Sequence, residues 1–599
     1  MKKLIWLVLP ALLTAPLSGQ TIYPLDSLHV NAASRITVAG TLRSVDIIDR
    51  DAIERLPAHS LGDIIARALG ADILARSPMQ ADISLRGSTT EQVAVLVDGV
   101  PVNDTQTGHF HLDQPVPLDD VERIEVLRGT ASSVHGAGAV GGIVNIVTRR
   151  GAPALRASAR LEGGTFGTIR GAARAGIPLT HATPVSLSAE HARSDGHRPG
   201  TDYESTVARA SLAHAVAGGT FRLSGGIADR SFGAADFYGP FPTSHEKTRV
   251  ITGDAAFERS IGRIALEPRV SIRRHDDDFV LRREDPSFYR NIHETTDAGG
   301  ALTARASAGP VMLAAGGEAF RSSIESTNLG DHDETRTAMF GEAVTARDAY
   351  TLSAGARFDH SSTYGGFFSP SIAAGLRIDE HVRLRASAAR GFRAPTWTDR
   401  YYSDPANLGD STLNVERAWT YEGGVDLLPG GAWSVDATAF VRHVDNAIDW
   451  VRPESSPTGP WRIVNVQTAK YRGLELRVRN ASLLGIDWTA RGSLLSFDAT
   501  STDTLMSKYA LRPLQETASL EAAIPLPFGL SAAVRGSHAR RTGEASYHLL
   551  DAQIRYRLGQ FSAYIGETNL GYQSYVDVSG ANAAGRAFTA GGEWRTGSD

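Results

Sequence analysis

Three stretches of the chain bring together residue types that do chemistry. His109 and His111 lie two apart in the segment Asn103 to Asp113, beside Gln106 and Phe110. On an extended backbone two such imidazoles share a face, where they could ligate a metal, donate hydrogen bonds or simply meet solvent. No partner ligand is evident nearby, so the metal, if any, is unspecified. His275-Asp276-Asp277-Asp278 concentrates carboxylates in what reads as an outer loop. Oxygen ligands of this kind suit calcium, but no glycine-spaced calcium loop follows, and a solvated loop is the plainer reading. Gly136-Ala137-Gly138-Ala139-Val140-Gly141 fits G-x-G-x-x-G after a strand, with Glu162 about 20 residues on. A dinucleotide fold needs a helix next, whereas Gly142 to Val147 reads as β. Tight turns and close backbone packing account for these glycines. No Ser-His-Asp set or carboxylate pair can be assembled from neighbouring residues, so an enzyme reading has no positive support.

The elements that would position these groups fall into two parts. The chain has 599 residues, a net charge of -5, 60 glycines and no cysteine. The small charge argues against a nucleic-acid binder. The lack of cysteine removes disulfides, thiolate metal sites and thiol nucleophiles. Residues 1–20 read as a signal peptide: Lys2 and Lys3, the apolar run Leu4 to Leu13, then small and polar residues with cleavage between Ala15 and Gln20. That run is too short for a membrane-spanning helix, and no later run is long enough. Residues 21–34 carry no helix or hairpin signal and read as extended or disordered. From 35 to 150 the texture is α+β. Ser44 to Ile48 alternates as a strand, and Asp49 to Glu54 begins a helix. Ser60 caps a second helix bearing Leu61, Ile64, Ile65 and Leu69 on one face, closed by Gly70. Ile83 to Gly87 and Val93 to Val97 read as strands, residues 101–117 as loop. Val121 to Leu127 and Ile143 to Thr148 form a closing strand pair joined by glycines.

From 151 to 599 the period is two almost throughout. In Leu155 to Glu162, Trp433 to Arg442, Leu474 to Arg479 and Leu550 to Arg557, apolar residues alternate with charged ones. A soluble sandwich would bury the apolar face; a membrane barrel turns it to lipid and the charged face to a wet lumen. Strands of about ten residues or more fit a tilted membrane strand. Connections alternate between tight turns, such as Leu558-Gly559-Gln560, and long polar loops over 400–416 and 570–585. These features predict an outer-membrane β-barrel of about 22 antiparallel strands. A lumen that wide needs filling, and the α+β domain of about 110 residues ahead of it is the natural plug.

The motifs carry a family resemblance along nearly the whole chain. They are Ser60 to Ile65, Ile83-Ser84-Leu85-Arg86-Gly87, Val95 to Val100, Val121 to Gly129, Gly136 to Thr148, Gly391-Phe392-Arg393-Ala394-Pro395, Thr568-Asn569-Leu570 and Gly585-Arg586 to Trp594. Together, and in this order, they resemble the TonB-dependent outer-membrane receptors. The resemblance implies active uptake of a scarce, bulky solute: a small molecule or metal chelate binds from outside, and TonB, with its inner-membrane energising complex, pulls on the N-terminus. Asp26-Ser27-Leu28-His29-Val30 resembles a TonB box, a segment captured by strand addition; a disordered tail is the other reading. By the same resemblance two plug loops face outward to the solute, one with Ser77, Pro78, Met79 and Gln80, the other with Gln106, His109, Phe110 and His111. Phe237 and Tyr238, in Phe232 to Phe241, and Trp397, Tyr401 and Tyr402 are further contacts or else part of the interfacial aromatic girdle. Arg86, Arg123, Glu125 and Arg128 are expected as charged contacts within the plug or to the wall. Compact length, the plug loops and Asn446-Ala447-Ile448-Asp449-Trp450 look most like the cobalamin (vitamin B12) branch. Uptake of a ferric siderophore or haem is the alternative, and a passive porin or adhesin barrel the reading from another class. No cofactor is expected beyond loop-bound calcium; a periplasmic binding protein is a further partner, and outer-membrane lipid the surroundings.

Overall fold

A computed structural model describes residues 42–596 apart from 78, 217, 240, 431, 501–504, 509–511 and 577–581. The expected signal peptide, the expected TonB-box segment and Pro78 therefore lie outside the described residues. Arg156–Gly164 through Ala587–Arg595 form a closed barrel of 22 long antiparallel strands, with the short strands Asn407–Leu408 and Leu505–Ser507 added at its outer rim. The last strand closes on the first with Thr589 opposite Gly164 and Arg595 opposite Ser158. The period-two pattern decides the faces. Leu161 is 66% exposed and Met339 75%, both turned to lipid, while Arg160 and Glu162 on either side of Leu161 point into the lumen. Tight inner turns are built on left-handed residues, among them Gly262, Gly309, the Leu484-Gly485 pair and Gly559. The longest outer connections span 394–415 and 569–586. No helix among the described residues is long and apolar enough to cross a membrane.

Inside sits an α+β plug. Its sheet has the order β1-β6-β7-β4-β5, from Ser44–Asp49 (β1), Val93–Val97 (β4), Val100–Pro101 (β5), Val121–Arg128 (β6) and Gly142–Thr148 (β7). β4 and β7 are parallel; β6 pairs antiparallel with both β1 and β7. Ala71–Ser77 (β2) and Gln80–Leu85 (β3) make a separate hairpin that the sequence reading shows only in part. Arg50–Arg55 (α1) is capped by Asp49 and Leu61–Ile65 (α2) by Ser60, whose capping box with Asp63 is complete. α2 ends sooner than the apolar spacing suggests, and the chain reaches Gly70 (φ 70°) through turns. A short helix, Ser132–His135 (α3), interrupts the glycine-rich connection between β6 and β7. Ile48, Ile53, Ile64, Ile65, Leu85, Val95, Ile124, Val144 and Ile146 form the plug core.

Candidate functional site

The polar lumen wall holds the plug through buried ion pairs. Arg86 sits at the end of β3 with φ 54°, and the turn it makes with Gly87 aims its guanidinium at the wall. It donates from Nε and Nη2 to the Glu475 carboxylate at 2.9 and 2.7 Å and lies 3.0 Å from Glu422. Arg128, from β6, reaches the same Glu475. All three side chains of the Arg86–Arg128–Glu475 set are almost fully buried. The Arg86 guanidinium also lies 4.2 Å above the Phe440 ring, and Arg442 donates to the Arg86 carbonyl at 3.1 Å. Two glycines make the approach fit: a Cβ on Gly70 would stand 2.6 Å from a Glu475 oxygen, and one on Gly129 would collide with Glu422. Burial disfavours the charged Arg86, but Glu422 and Glu475 more than offset it and raise its pKa. Arg123 and Glu125, in contrast, pair with each other inside the plug, and Asn145 donates to Glu125 at 2.9 Å.

Elsewhere the polarity is reversed, with plug acids meeting wall arginines. Asp72 and Arg541 form a two-toothed pair at 2.8 and 2.9 Å. Asp98 pairs with Arg209, Asp104 with Arg273 at 2.9 Å, Asp119 with Arg160, Asp120 with Arg174, and Glu54 with Arg595. Burial opposes ionisation of Glu54, yet Arg50, Arg595, Arg160 and Arg555 together hold its carboxyl down at about 2. Asp104 is lowered in the same way, burial being outweighed by Arg273 and His275. For Asp120 burial wins over Arg174 and pushes it up to about 6.

At the outer end the plug apex is covered. Met79 packs in a cluster with Phe232, Phe237 and Phe279, and Tyr238 lies against it. Gln80 is buried; its Nε2 donates to Glu246 at 2.7 Å and to the Tyr238 hydroxyl at 3.2 Å, while that hydroxyl donates to Glu246 at 3.1 Å. Burial, reinforced by Glu246, raises the Tyr238 phenol well above its usual range. His109 sits 2.9 Å from Asp82 and edge-on to Phe237 at 5.1 Å. Met79, Gln80, His109, Phe237 and Tyr238 thus come together although they belong to different loops. Ser77 ends β2 and Pro78 is outside the described residues. Phe110 and His111 do not join this face. Gly108 to Phe110 is a 3-10 turn rather than a strand, so the two histidines diverge. Phe110 is buried 4.5 Å from the His275 ring, and Asn103 holds the His111 ring at 3.0 Å. Burial lowers the His111 pKa. Gln106 turns to the wall and donates to Asp277 at 3.3 Å.

The outer connection 394–415 also descends onto the plug. The backbone N–H groups of Trp397 and Thr398 donate to the carbonyls of Thr105 and Gln106 at 3.3 and 3.0 Å. Trp397 is buried against Ile324 and Leu329, Tyr401 stacks on His332 at 3.7 Å, and the Tyr402 hydroxyl meets that of Tyr289. These aromatics belong to loop packing above the plug and not to a girdle. The acidic run needs a correction as well. His275 to Asp278 lies in the strand Ile264–Val280, not in a loop. His275 and Asp277 face the plug; Asp276 and Asp278 lie on the other face, paired with Arg274 and Arg290. Among the described residues no group of three or more histidine and acidic side chains is arranged to hold a metal.

Two cavities flank the β2–β3 hairpin and share Asp72, Leu74 and Arg541 as their divider. The smaller, about 100 Å³, runs between His109, Glu91 and the wall residues Ile448, Asp449 and Trp450, part of the Asn446 to Trp450 motif. The larger, about 430 Å³, lies between α2–β2 and the last wall strands. Sequence reasoning missed the wall residues Glu422, Glu475 and Arg541, because their partners stand hundreds of positions away.

The description "TonB-dependent Receptor Plug Domain" matches residues 37–143, and "TonB dependent receptor-like, beta-barrel" matches 156–570. The chain is 24% identical over 466 residues to the vitamin B12 transporter BtuB of Photobacterium profundum, covering 73% of each chain. It is 25% identical over 510 residues to that of Vibrio vulnificus, covering 79% of each. The siderophore receptor PirA of Acinetobacter baumannii superposes with a TM-score of 0.79 at 16% identity, over 94% of this chain and 99% of that one, a likeness of fold alone. The plug locked into a 22-stranded wall and the match of both family descriptions place this chain in the TonB-dependent receptor family, as an outer-membrane transporter and not an enzyme.

Proposed function

We propose that the solute carried inward is cobalamin, bound from outside at the plug apex and drawn past the plug when TonB pulls on Asp26 to Val30. The observation that carries this reading is the 24–25% identity to vitamin B12 transporters, which runs through most of the chain. The chemistry of the apex agrees with it. Gln80, Tyr238 and His109 offer amide, phenol and imidazole groups beside aromatic rings, suited to the amide-fringed, largely apolar rim of a corrinoid. In the present conformation these groups satisfy one another, so binding exchanges Gln80–Tyr238–Glu246 contacts for contacts to the solute. A ferric siderophore is the competing solute. After passage, a periplasmic binding protein would receive the cobalamin.

Purified receptor titrated with cyanocobalamin and, separately, with ferric enterobactin tests the solute by tryptophan fluorescence or calorimetry. Saturable binding of cyanocobalamin is expected. Saturable binding of the ferric chelate with none of cobalamin would overturn the reading. Deleting residues 26–30 is expected to abolish uptake by cells and leave binding intact; continued uptake would refute the TonB-box role.

A further inference from the structure

The larger cavity is a shaft. Its mouth is at Phe166, His197 and Tyr575, all in outer connections, and it descends between the α2–β2 face of the plug and the wall to Arg491 and Arg535. These two arginines flank the strand Leu514–Pro525, Arg491 opposite Ser519 and Arg535 opposite Glu521. Both sit about five residues above the inner ends of their strands, well below the plug apex. At about 430 Å³ the shaft falls within the size of small-molecule sites.

What sets its floor apart from the wall arginines that hold the plug is the distance of the nearest carboxylates. Arg160, Arg174, Arg209, Arg273 and Arg541 each face a plug carboxylate at 2.8 to 3.1 Å. Arg491 and Arg535 have no plug carboxylate within ion-pair distance. Their acidic neighbours are wall residues, Glu521 at 3.7 Å and Asp551 at 3.8 Å, too far for a hydrogen bond. Arg535 reaches the plug only at the Ala66 carbonyl, 3.5 Å away. Nε and Nη1 of Arg491 and Nε of Arg535 are buried without any hydrogen-bond partner. A buried guanidinium with open donors is costly unless something completes it, and the fork geometry fits an oxyanion with two oxygens. Higher up, Tyr547 and Tyr575 stack at 4.5 Å, giving the shaft an aromatic upper wall.

We propose that this shaft is a second, deeper subsite that takes an oxyanion group, a phosphate or a carboxylate, of a solute passing along the plug, with Arg491 and Arg535 as its recognising pair. The inference rests on the transport reading but not on which solute is carried. The Tyr547–Tyr575 pair guides the apolar body of the solute while the charged group finds the floor. Asp46 of the plug acts on Arg491 only from beyond ion-pair distance, so the floor arginines can release the group when the plug moves without breaking a plug–wall ion pair.

The probe is inorganic pyrophosphate, titrated by calorimetry into the full-length receptor in a non-ionic detergent. Wild type is expected to bind it saturably and more weakly as salt rises. In R491Q/R535Q the affinity should fall about tenfold or more, since both charge-assisted contacts to the anion are removed. R535Q alone covers the case in which the double variant does not fold, and should show part of the loss. R512Q, which removes an exposed arginine of the neighbouring cavity, should bind as wild type does. No saturable binding in wild type, undiminished affinity in a folded R535Q, or an equal loss in R512Q would each overturn the assignment. None of these measurements uses cobalamin or TonB. A failure here therefore leaves the cobalamin reading standing, and failure of cobalamin binding leaves this subsite standing.

Discussion

The plug meets its wall differently on two sides. On one, Arg86 and Arg128 converge on Glu475 with Glu422 beside it, aromatic rings close the gap, and glycines at 70, 87 and 129 bring the backbone into contact. On the other, Arg491 and Arg535 look across a cavity of about 430 Å³ at α2 and β2. The first side exchanges water for short plug–wall ion pairs; the second keeps space and leaves its arginines with distant wall carboxylates alone as ion-pair partners. A transporter needs both. The plug must stay seated while no force acts, yet one face must let a bulky solute past. Two plug arginines sharing one dehydrated wall carboxylate fix the plug's position at a point about which the rest can move.

The tight side carries the largest expected effect. Glu475→Ala leaves two buried guanidiniums without their main acceptor and is expected to cost about 3–5 kcal/mol of plug docking. Protease cleavage within the plug and leakage of a hydrophilic dye from proteoliposomes should both appear. Acidification comes next. Glu54 is held at about 2 and Asp104 is also depressed, so each supports docking fully above its unfolded value near 4 and loses that support as pH falls through the folded one. Asp120 runs the other way: raised to about 6, it favours docking below its unfolded value of 3.8 and loses that contribution as pH rises through about 6. Thermal unfolding of the seated plug should therefore peak at mildly acidic pH and drop steeply toward pH 2. A flat profile would refute the ion-pair account.

Other substitutions have smaller expected effects. Asp72→Asn removes the two-toothed pair with Arg541 that divides the two cavities, at about 1–3 kcal/mol, and should raise exchange in the β2–β3 hairpin. Tyr238→Phe removes one hydroxyl from the apex at about 1 kcal/mol and should loosen the connection 234–244 without unseating the plug. On the open side, R491Q/R535Q should change stability by less than about 1 kcal/mol, because the wall pairs it removes are long. A loss as large as that of Glu475→Ala would erase the distinction between the two sides.

Much of the architecture could be read from the chain because barrel strands write their environment into a period of two. Leu161 outward with Arg160 and Glu162 inward is visible in the letters alone. The alternation also runs past the membrane. His275 to Asp278 looks like an outer loop because it is charged, yet its odd positions face the plug and its even positions face away. The His109–His111 reading failed because Gly108 starts a 3-10 turn, which no period-two argument foresees. α2 stopped short of Leu69 because the chain turns to place Gly70 against Glu475. That contact spans the two domains, and Arg86 finds Glu475 across 389 positions. Local spacing shows that a plug arginine wants an acid; only the closed barrel shows which one. The gathering of Gln80, His109 and Tyr238 was legible as separate loops, not as one covered apex.

Hydrogen exchange of the purified receptor, followed along the plug, tests the two-sided account most directly. Amides around the clamp, from Leu85 to Ser88 and from Leu127 to Thr130, should exchange slowly, while those from Ala66 to Ala75 along the shaft should exchange at least about tenfold faster. Glu475→Ala should abolish most of that difference by freeing the clamped segments. Equal protection of the two faces in wild type, or a clamp that exchanges faster than the shaft face, would contradict the account.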